Sequence, residues 1–369
     1  VSNGERLHWA DTAKAVAVVL VVVYHVALTA LKNFAPGAPY SEQFWGVLST
    51  WLLPVRMPLF FLVSGVLAVR ALRRPWPRVL RPRLLDNLWT FGLWTTAIAV
   101  FYALAYAPQV FGEFMMRALS WTLTFGGFYW YLPLLMAFFV TAKLLRRAPW
   151  LVVGIGVVLY VIASDLPRSL DAGALSDDAL LTLIRYCQFL VFFALGAFVR
   201  PLVVLAARTH LAVVAVLVVA YVPIARFTYS PDGVDLTPLL TVMGCTAVLG
   251  LSQFVSRWDR VRRLGRHLAE RTLPIYLVHP FALTLVTLAL PALPALRTRH
   301  TLFLVPLLVI ALVALSIWLY DRTRHRLPWL YRTPGAPRES TAAEVEDLIR
   351  EDWRTTSTGS SRPPGPPVR

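Results

Sequence analysis

Residues 11–25 read DTAKAVAVVLVVVYH, a charged opening that passes into Ala, Val and Leu and ends on Tyr24 and His25. The apolar run continues to Leu31, long enough to begin a helix that crosses a bilayer. Lys14 and His25 stand eleven positions apart, roughly three helical turns, so they share nearly one face about 16 Å apart along the axis. One end of such a helix meets aqueous anions while the other lies deep in hydrocarbon. An ionisable side chain at that depth marks a functional site by default, because burial penalises its charge and the neutral ring still needs hydrogen-bond partners. Neutral imidazole suits a base that takes a proton from a hydroxyl; the competing reading is a histidine that bonds a neighbouring helix.

The rest of the chain extends this picture. Of 369 residues, 57% are hydrophobic and 15% charged, with a mean hydropathy of +0.61, which excludes an ordinary soluble domain. The composition predicts an all-α polytopic membrane protein with about ten transmembrane helices. The apolar segments fall at 13–31, 44–69, 84–106, 121–142, 149–164, 182–199, 209–225, 236–255, 272–291 and 301–320. The first segment lacks a convincing cleavage site and reads as a retained helix rather than a signal peptide. Pro54 and Pro58 are expected to kink or delay the second.

A net charge of +16 suggests nucleic acid in a soluble chain, but here the basic residues sit in clusters between apolar runs and no nucleic-acid-binding module accompanies them. No nucleic acid is expected as a partner. Arg70–Arg83, Lys143–Arg147, Arg257–Arg271 and Arg322–Arg326 alternate with base-poor connections such as 165–181, which holds four aspartates against Arg168. The positive-inside rule then places both termini in the cytoplasm, in a multi-pass protein of the cell inner (plasma) membrane. Arg297 and Arg299 run against the pattern. Cys187 and Cys245 lie in apolar runs without ligand spacing, so neither a disulfide framework nor a metal site is expected. A membrane domain over 1–330 and a largely disordered cytoplasmic tail over 331–369 complete the division, with 341–353 able to form a short amphipathic helix.

Four stretches carry a family resemblance. They are RLHWADTAKAVAVVLVVVYH from Arg6 to His25, RMPLFFLVSG from Arg56 to Gly65, the cluster in which Arg78 and Arg81 form an RxxR pattern, and the pair YWYLP (Tyr129–Pro133) and IYLVHP (Ile275–Pro280). In this order and spacing the chain resembles the acyltransferase-3 family of integral membrane acyltransferases, and more narrowly its fucose 4-O-acetylase-like branch. Most members have arginine where this chain has Lys14. The resemblance implies about ten helices and transfer of an acyl group, usually acetyl, from cytosolic acetyl-CoA or another acyl-CoA to a hydroxyl of an extracytoplasmic or lipid-linked carbohydrate. Acyl-CoA, that acceptor and membrane lipid are the implied partners, and no permanently bound cofactor is implied.

On that resemblance His25 matches the family's essential histidine, acting as general base or forming an acyl-histidine. Asp11 and Asp86 lie too far along their helices to be assigned as its orienting carboxylate. Lys14, Arg78 and Arg81 are the candidates for the donor's phosphates. His279, one turn beyond Tyr276, is a candidate for a catalytic or acceptor-binding role, against a structural hydrogen bond; Tyr276 joins it as a candidate substrate contact. Ser64 and Gly65 read as close-packing residues rather than a nucleophile and its turn. The arginines between 257 and 271 read as topology and lipid attraction. The rival function is a transporter or flippase without acyl transfer, whose expected paired broken helices are not evident; a catalytically silent scaffold with a partner-binding tail is the third.

Overall fold

In the computed structural model the described residues are 7–33, 39–106, 108–163, 176–289 and 301–335. They form helices α1 (His8–Asn33), α2 (Pro39–Trp51), α3 (Leu53–Arg73), α4 (Trp76–Leu80), α5 (Asp86–Tyr106), α6 (Phe111–Thr124), α7 (Tyr131–Leu144) and α8 (Pro149–Ile162). There follow α9 (Asp177–Phe198), α10 (Arg200–Ala207), α11 (Leu211–Thr228), α12 (Thr237–Val255), α13 (Asp259–Glu270), α14 (Thr272–Ala289) and α15 (Thr301–Thr323). A π-helical turn, Arg81–Leu85, joins α4 to α5. The described chain is all-α, without a strand, and eight of its helical stretches are long and apolar enough to span a bilayer; α7 and α8 are shorter apolar helices. This is the architecture of a polytopic membrane protein.

Runs of Val and Ile favour strands in water, yet here they are helical. In hydrocarbon each backbone N–H and C=O must be satisfied within its own segment, and a helix does this irrespective of β-propensity. The ten expected segments correspond to α1, α3, α5, α7, α8, α9, α11, α12, α14 and α15, with three local differences. The second breaks at Leu52, so 44–51 belongs to α2 and Pro54 sits in the first turn of α3, where its missing N–H costs nothing. The fourth starts ten residues late at Tyr131: Phe125 takes a left-handed C-cap (φ 57°) and Gly127 follows at φ +70°, which ends α6 and turns the chain. The connection 257–271 is largely helical: α13 is strongly amphipathic, and its Gly265 seats on Thr12 of α1.

The first helix is the hub. It packs against α2, α3, α12, α13, α14 and α15, burying Ala10, Ala13, Ala17, Val18, Val22 and Val26. Small residues let those neighbours close in on it. The tightest meeting lies between α3 and α9, where a Cβ on Gly65 would fall 2.2 Å from the Phe193 carbonyl oxygen and one on Gly196 2.0 Å from that of Leu62. Backbone meets backbone there, the means by which membrane helices gain packing without a hydrophobic drive. Gly65 is therefore a packing residue, as its sequence context suggested, and Ser64 bonds the Tyr131 hydroxyl at 2.9 Å.

The strongly basic connections gather at one end of the bundle. Lys14 Nζ donates to the Ala269 carbonyl at 3.1 Å, Lys143 Nζ to the Leu72 carbonyl at 3.2 Å, and Arg271 pairs with Asp321 at 3.3 Å. The segment after α15 is strapped to α5 by the indole N–H groups of Trp89 and Trp94, which donate to the carbonyls of Trp329 and Leu330 at 2.7 Å each. A unit spanning Val1–Arg332 contains all these helices; of the second unit, Thr333–Arg369, residues 333–335 are described, so the expected short helix at 341–353 lies outside the described residues.

Candidate functional site

The deep end of the site is a histidine pair. His25 Nδ1 lies 2.9 Å from His279 Nε2, and His279 Nδ1 lies 2.8 Å from the Ile275 carbonyl oxygen. A carbonyl can only accept, so His279 carries its hydrogen on Nδ1 and, as a neutral ring, presents a lone pair at Nε2. His25 must then donate from Nδ1, and its own Nε2 is left with a lone pair. This is the tautomer a general base requires. The α14 sequence explains the anchor: Pro280 has no N–H for the Tyr276 carbonyl, and the His279 ring sits against the carbonyls of Ile275 and Tyr276. His279 is fully buried, whereas His25 keeps some accessible surface, so only one of the two rings is open to a substrate.

Aromatic rings connect this pair to the basic end. Tyr276 lies with its ring centroid 6.2 Å from that of His279, accepts a hydrogen bond from the Tyr131 backbone N–H at 3.4 Å and donates to the Phe128 carbonyl at 3.1 Å. Tyr129 donates to the Leu277 carbonyl at 2.8 Å. The YWYLP segment that starts α7 is thus knitted to the IYLVHP segment of α14, bringing two distant signatures together. Tyr276 and Tyr131 also line a cavity of about 230 Å³ whose other walls include Lys14, Ser64, Arg83, Asn87 and Thr272.

The cavity gathers Lys14 and Tyr276, but the arginine that lines it is Arg83. Arg78 and Arg81 are not among the described residues that line it: Arg78 is exposed on α4 and Arg81 opens the π-helical turn. The wider π turn sets the register that carries Arg83 rather than Arg81 to the cavity. Lys14 also satisfies a carbonyl of the last turn of α13, a structural bond beside any ligand role.

Two cations escaped the sequence reading. Arg56, with 5% of its surface exposed, stacks on Tyr24 with its guanidinium carbon 3.7 Å from the ring centroid, and lies within electrostatic reach of His25. Arg185, half-buried on α9, covers Trp130 at 4.4 Å and reaches Tyr24 and Tyr276 electrostatically. The available signal was a charged residue inside an apolar helix, the same signal that singled out His25. No cluster of three His, Cys, Asp or Glu side chains suited to a metal occurs among the described residues.

Comparison with known proteins agrees with this layout. The Acyl_transf_3 family, described as an acyltransferase domain, matches residues 7–321. The chain is similar to the inner membrane protein YcfT of Escherichia coli (strain K12), 26% identical over 311 residues that cover 76% of this chain and 81% of that protein. No solved structure matches it. A bundle of membrane-spanning helices, a hydrogen-bonded histidine pair inside it and a family match from residue 7 to residue 321 lead to one assignment: the chain belongs to the acyltransferase-3 family and is a multi-pass membrane transferase of acyl groups.

Proposed function

We propose that the protein transfers an acetyl group from cytosolic acetyl-CoA to a hydroxyl of an extracytoplasmic or lipid-linked carbohydrate, with both termini on the cytosolic side. The observation that carries this reading is the hydrogen-bonded chain from the Ile275 carbonyl through His279 to His25, which leaves His25 Nε2 with a free lone pair. The donor enters at the basic end, where Lys14 and Arg83 both line the cavity. At about 230 Å³ the cavity is too small for a nucleotide and its acyl arm together. The thioester-bearing arm enters, the phosphates behind it meet Lys14 and Arg83 at the cavity wall, and the rest of the nucleotide stays outside, where Arg78 and Arg81 are peripheral contacts.

At the deep end the acceptor hydroxyl gives its proton to His25 Nε2 while its oxygen attacks the thioester carbonyl. His279 holds the ring in this tautomer and accepts from Nδ1–H as the imidazolium forms, an orienting role that a carboxylate fills in other histidine bases. Collapse of the tetrahedral intermediate breaks the C–S bond, and the proton passes from His25 to the departing CoA sulfur. Ester and free thiol are the products. Tyr276, bonded to backbone on two sides, is a stiff element that lines the cavity and packs beside His279.

The test is single-turnover release of CoA from radiolabelled acetyl-CoA by purified wild-type and His25→Ala protein over a panel of sugar acceptors, with mass mapping of the product. CoA release that disappears in His25→Ala while acetyl-CoA still binds is the expected result. Failure of the wild-type protein to bind acetyl-CoA rules the donor out.

A further inference from the structure

We infer that the acceptor carries an oxyanion, a carboxylate or a phosphate, held beside the hydroxyl to be acylated by Arg56 and Arg185. The inference rests on the acyl-transfer reading of His25 and names the acceptor class for that site. Its ground is the set of charges around Tyr24. Arg56 lies on the face of Tyr24, Tyr24 lies beside His25 with ring centroids 5.3 Å apart, and Arg185 on α9 covers Trp130 at 4.4 Å, within electrostatic range of Tyr24. Helices α1 and α3 thus set Tyr24 and Arg56 beside His25, and α9 with the start of α7 adds Arg185 and Trp130.

Neither cation is neutralised. Neither Arg56 nor Arg185 takes part in the ion pairs seen at Arg262, Arg266, Arg271 and Arg324. Asp178, two turns before Arg185 on α9, acts on it electrostatically but forms no ion pair with it. A charge inside a membrane bundle is costly and is ordinarily paired or used. Two unpaired ones around one tyrosine create a positive potential that an anionic group relieves, at low local dielectric and therefore with large effect. Stacking explains why these are arginines. A guanidinium laid on an aromatic face keeps its plane fixed, and with five N–H donors it retains a rigid fork for carboxylate or phosphate beyond the bond that Arg56 makes to Tyr24.

The arrangement also separates the two substrates. The donor's phosphates meet Lys14 and Arg83 about three turns of α1 away, so one cationic group serves each end of the reaction and the neutral histidine pair lies between them. An acceptor anchored at Arg56 and Arg185 by its charged group turns a neighbouring ring hydroxyl toward His25 Nε2. Trp130 and Tyr24 supply the apolar walls that a sugar ring stacks against.

The experiment is equilibrium dialysis of radiolabelled probes against the full chain in lipid nanodiscs, using methyl glucuronide as carboxylate, glucose 1-phosphate as phosphate and methyl glucoside as neutral control. This readout needs no turnover. We expect saturable binding of a charged probe that exceeds the neutral one, falls about tenfold or more in Arg185→Gln and Arg56→Gln, and is only partly restored in Arg185→Lys, which keeps the charge but not the fork. Whether the carboxylate or the phosphate arm responds distinguishes an acidic sugar from a phosphate-linked one. Equal binding of all three probes, no binding of either charged probe, or unchanged binding in both glutamine variants overturns the inference. So does a turnover assay in which the glutamine variants slow charged and neutral acceptors alike, since the guanidinium groups would then serve the reacting centre rather than an acceptor's charge. His25-dependent CoA release with neutral sugars preferred would leave the acyl-transfer reading standing and remove this one; absence of His25-dependent release with any acceptor, while charged probes still bind, would remove the acyl-transfer reading and overturn the acceptor assignment with it, leaving Arg56 and Arg185 as an anion-binding cluster.

Discussion

The two ends of the site are built on opposite principles. At the basic end, Lys14, Arg83 and the arginines around them offer charge from several side chains at once, from the partly buried Lys14 to the exposed arginines. At the deep end a single hydrogen-bonded chain of Ile275, His279 and His25 decides one proton position, and nothing beside it can substitute. Phosphate recognition by point charges is graded and redundant, because each contact adds a modest amount in a high dielectric. A base in a membrane has to be right in tautomer, orientation and burial simultaneously.

Mutations should expose this difference. The largest loss is expected from His25→Ala, which removes the base and should lower single-turnover acyl transfer by about 10³-fold or more with donor binding intact. Next comes His279→Leu, which keeps the packing volume but lets His25 rotate and change tautomer; kcat should fall roughly 10²-fold with little change in donor KM, and His279→Gln, whose carbonyl can still accept from Nδ1–H, should recover part of it. Equal damage from the leucine and glutamine variants would make His279 a packing residue and dissolve the contrast. A control on the scaffold, Gly65→Ala, forces a Cβ to within 2.2 Å of the Phe193 carbonyl and should cost about 1–3 kcal/mol, read as a lowered melting temperature in detergent.

The basic end should respond more gently. Arg83→Ala and Lys14→Ala are each expected to raise KM for acetyl-CoA about five- to tenfold with kcat nearly unchanged, whereas Lys14→Arg should bind the donor at least as well as the wild type. The smallest effect, about twofold, is expected from Arg78→Ala or Arg81→Ala, measured in the same donor titration and easing further at high salt. An Arg78 or Arg81 variant that loses more than Arg83→Ala would place the donor's phosphates on the RxxR pair and away from the cavity wall.

The eight long spans and the two shorter apolar helices coincide with segments that hydropathy alone marks out, because a run of apolar residues in a bilayer has few alternatives to a helix. Sequence fell short where polar and apolar residues mix. Helices α6 and α13 are amphipathic and lie in stretches that read as connections, and the break at Leu52 falls inside an apolar run where composition does not change. At the site, His25 and Lys14 were legible because both stand on one helix, where spacing is geometry. Arg56 sat in plain view within RMPLFFLVSG but was read only as part of a signature, not as a buried cation.

By itself the sequence determined that the chain is a helical membrane protein, that its charge alternates along the chain and that a histidine lies deep in the first helix, all local properties set by side-chain transfer energies and helical period. Tertiary structure alone decided which partner that histidine has. His279 stands 254 residues away, and a carboxylate nearer in sequence would have served the same role. Packing of α1 against α14 makes the pair, and with it the tautomer; the π turn before α5 carries Arg83, rather than its motif neighbours, to the cavity; and the meeting of α1, α3 and α9 sets two arginines around one tyrosine. Hydrogen bonds and buried charges are pairwise and short-ranged, so their consequences exist only once the helices have met.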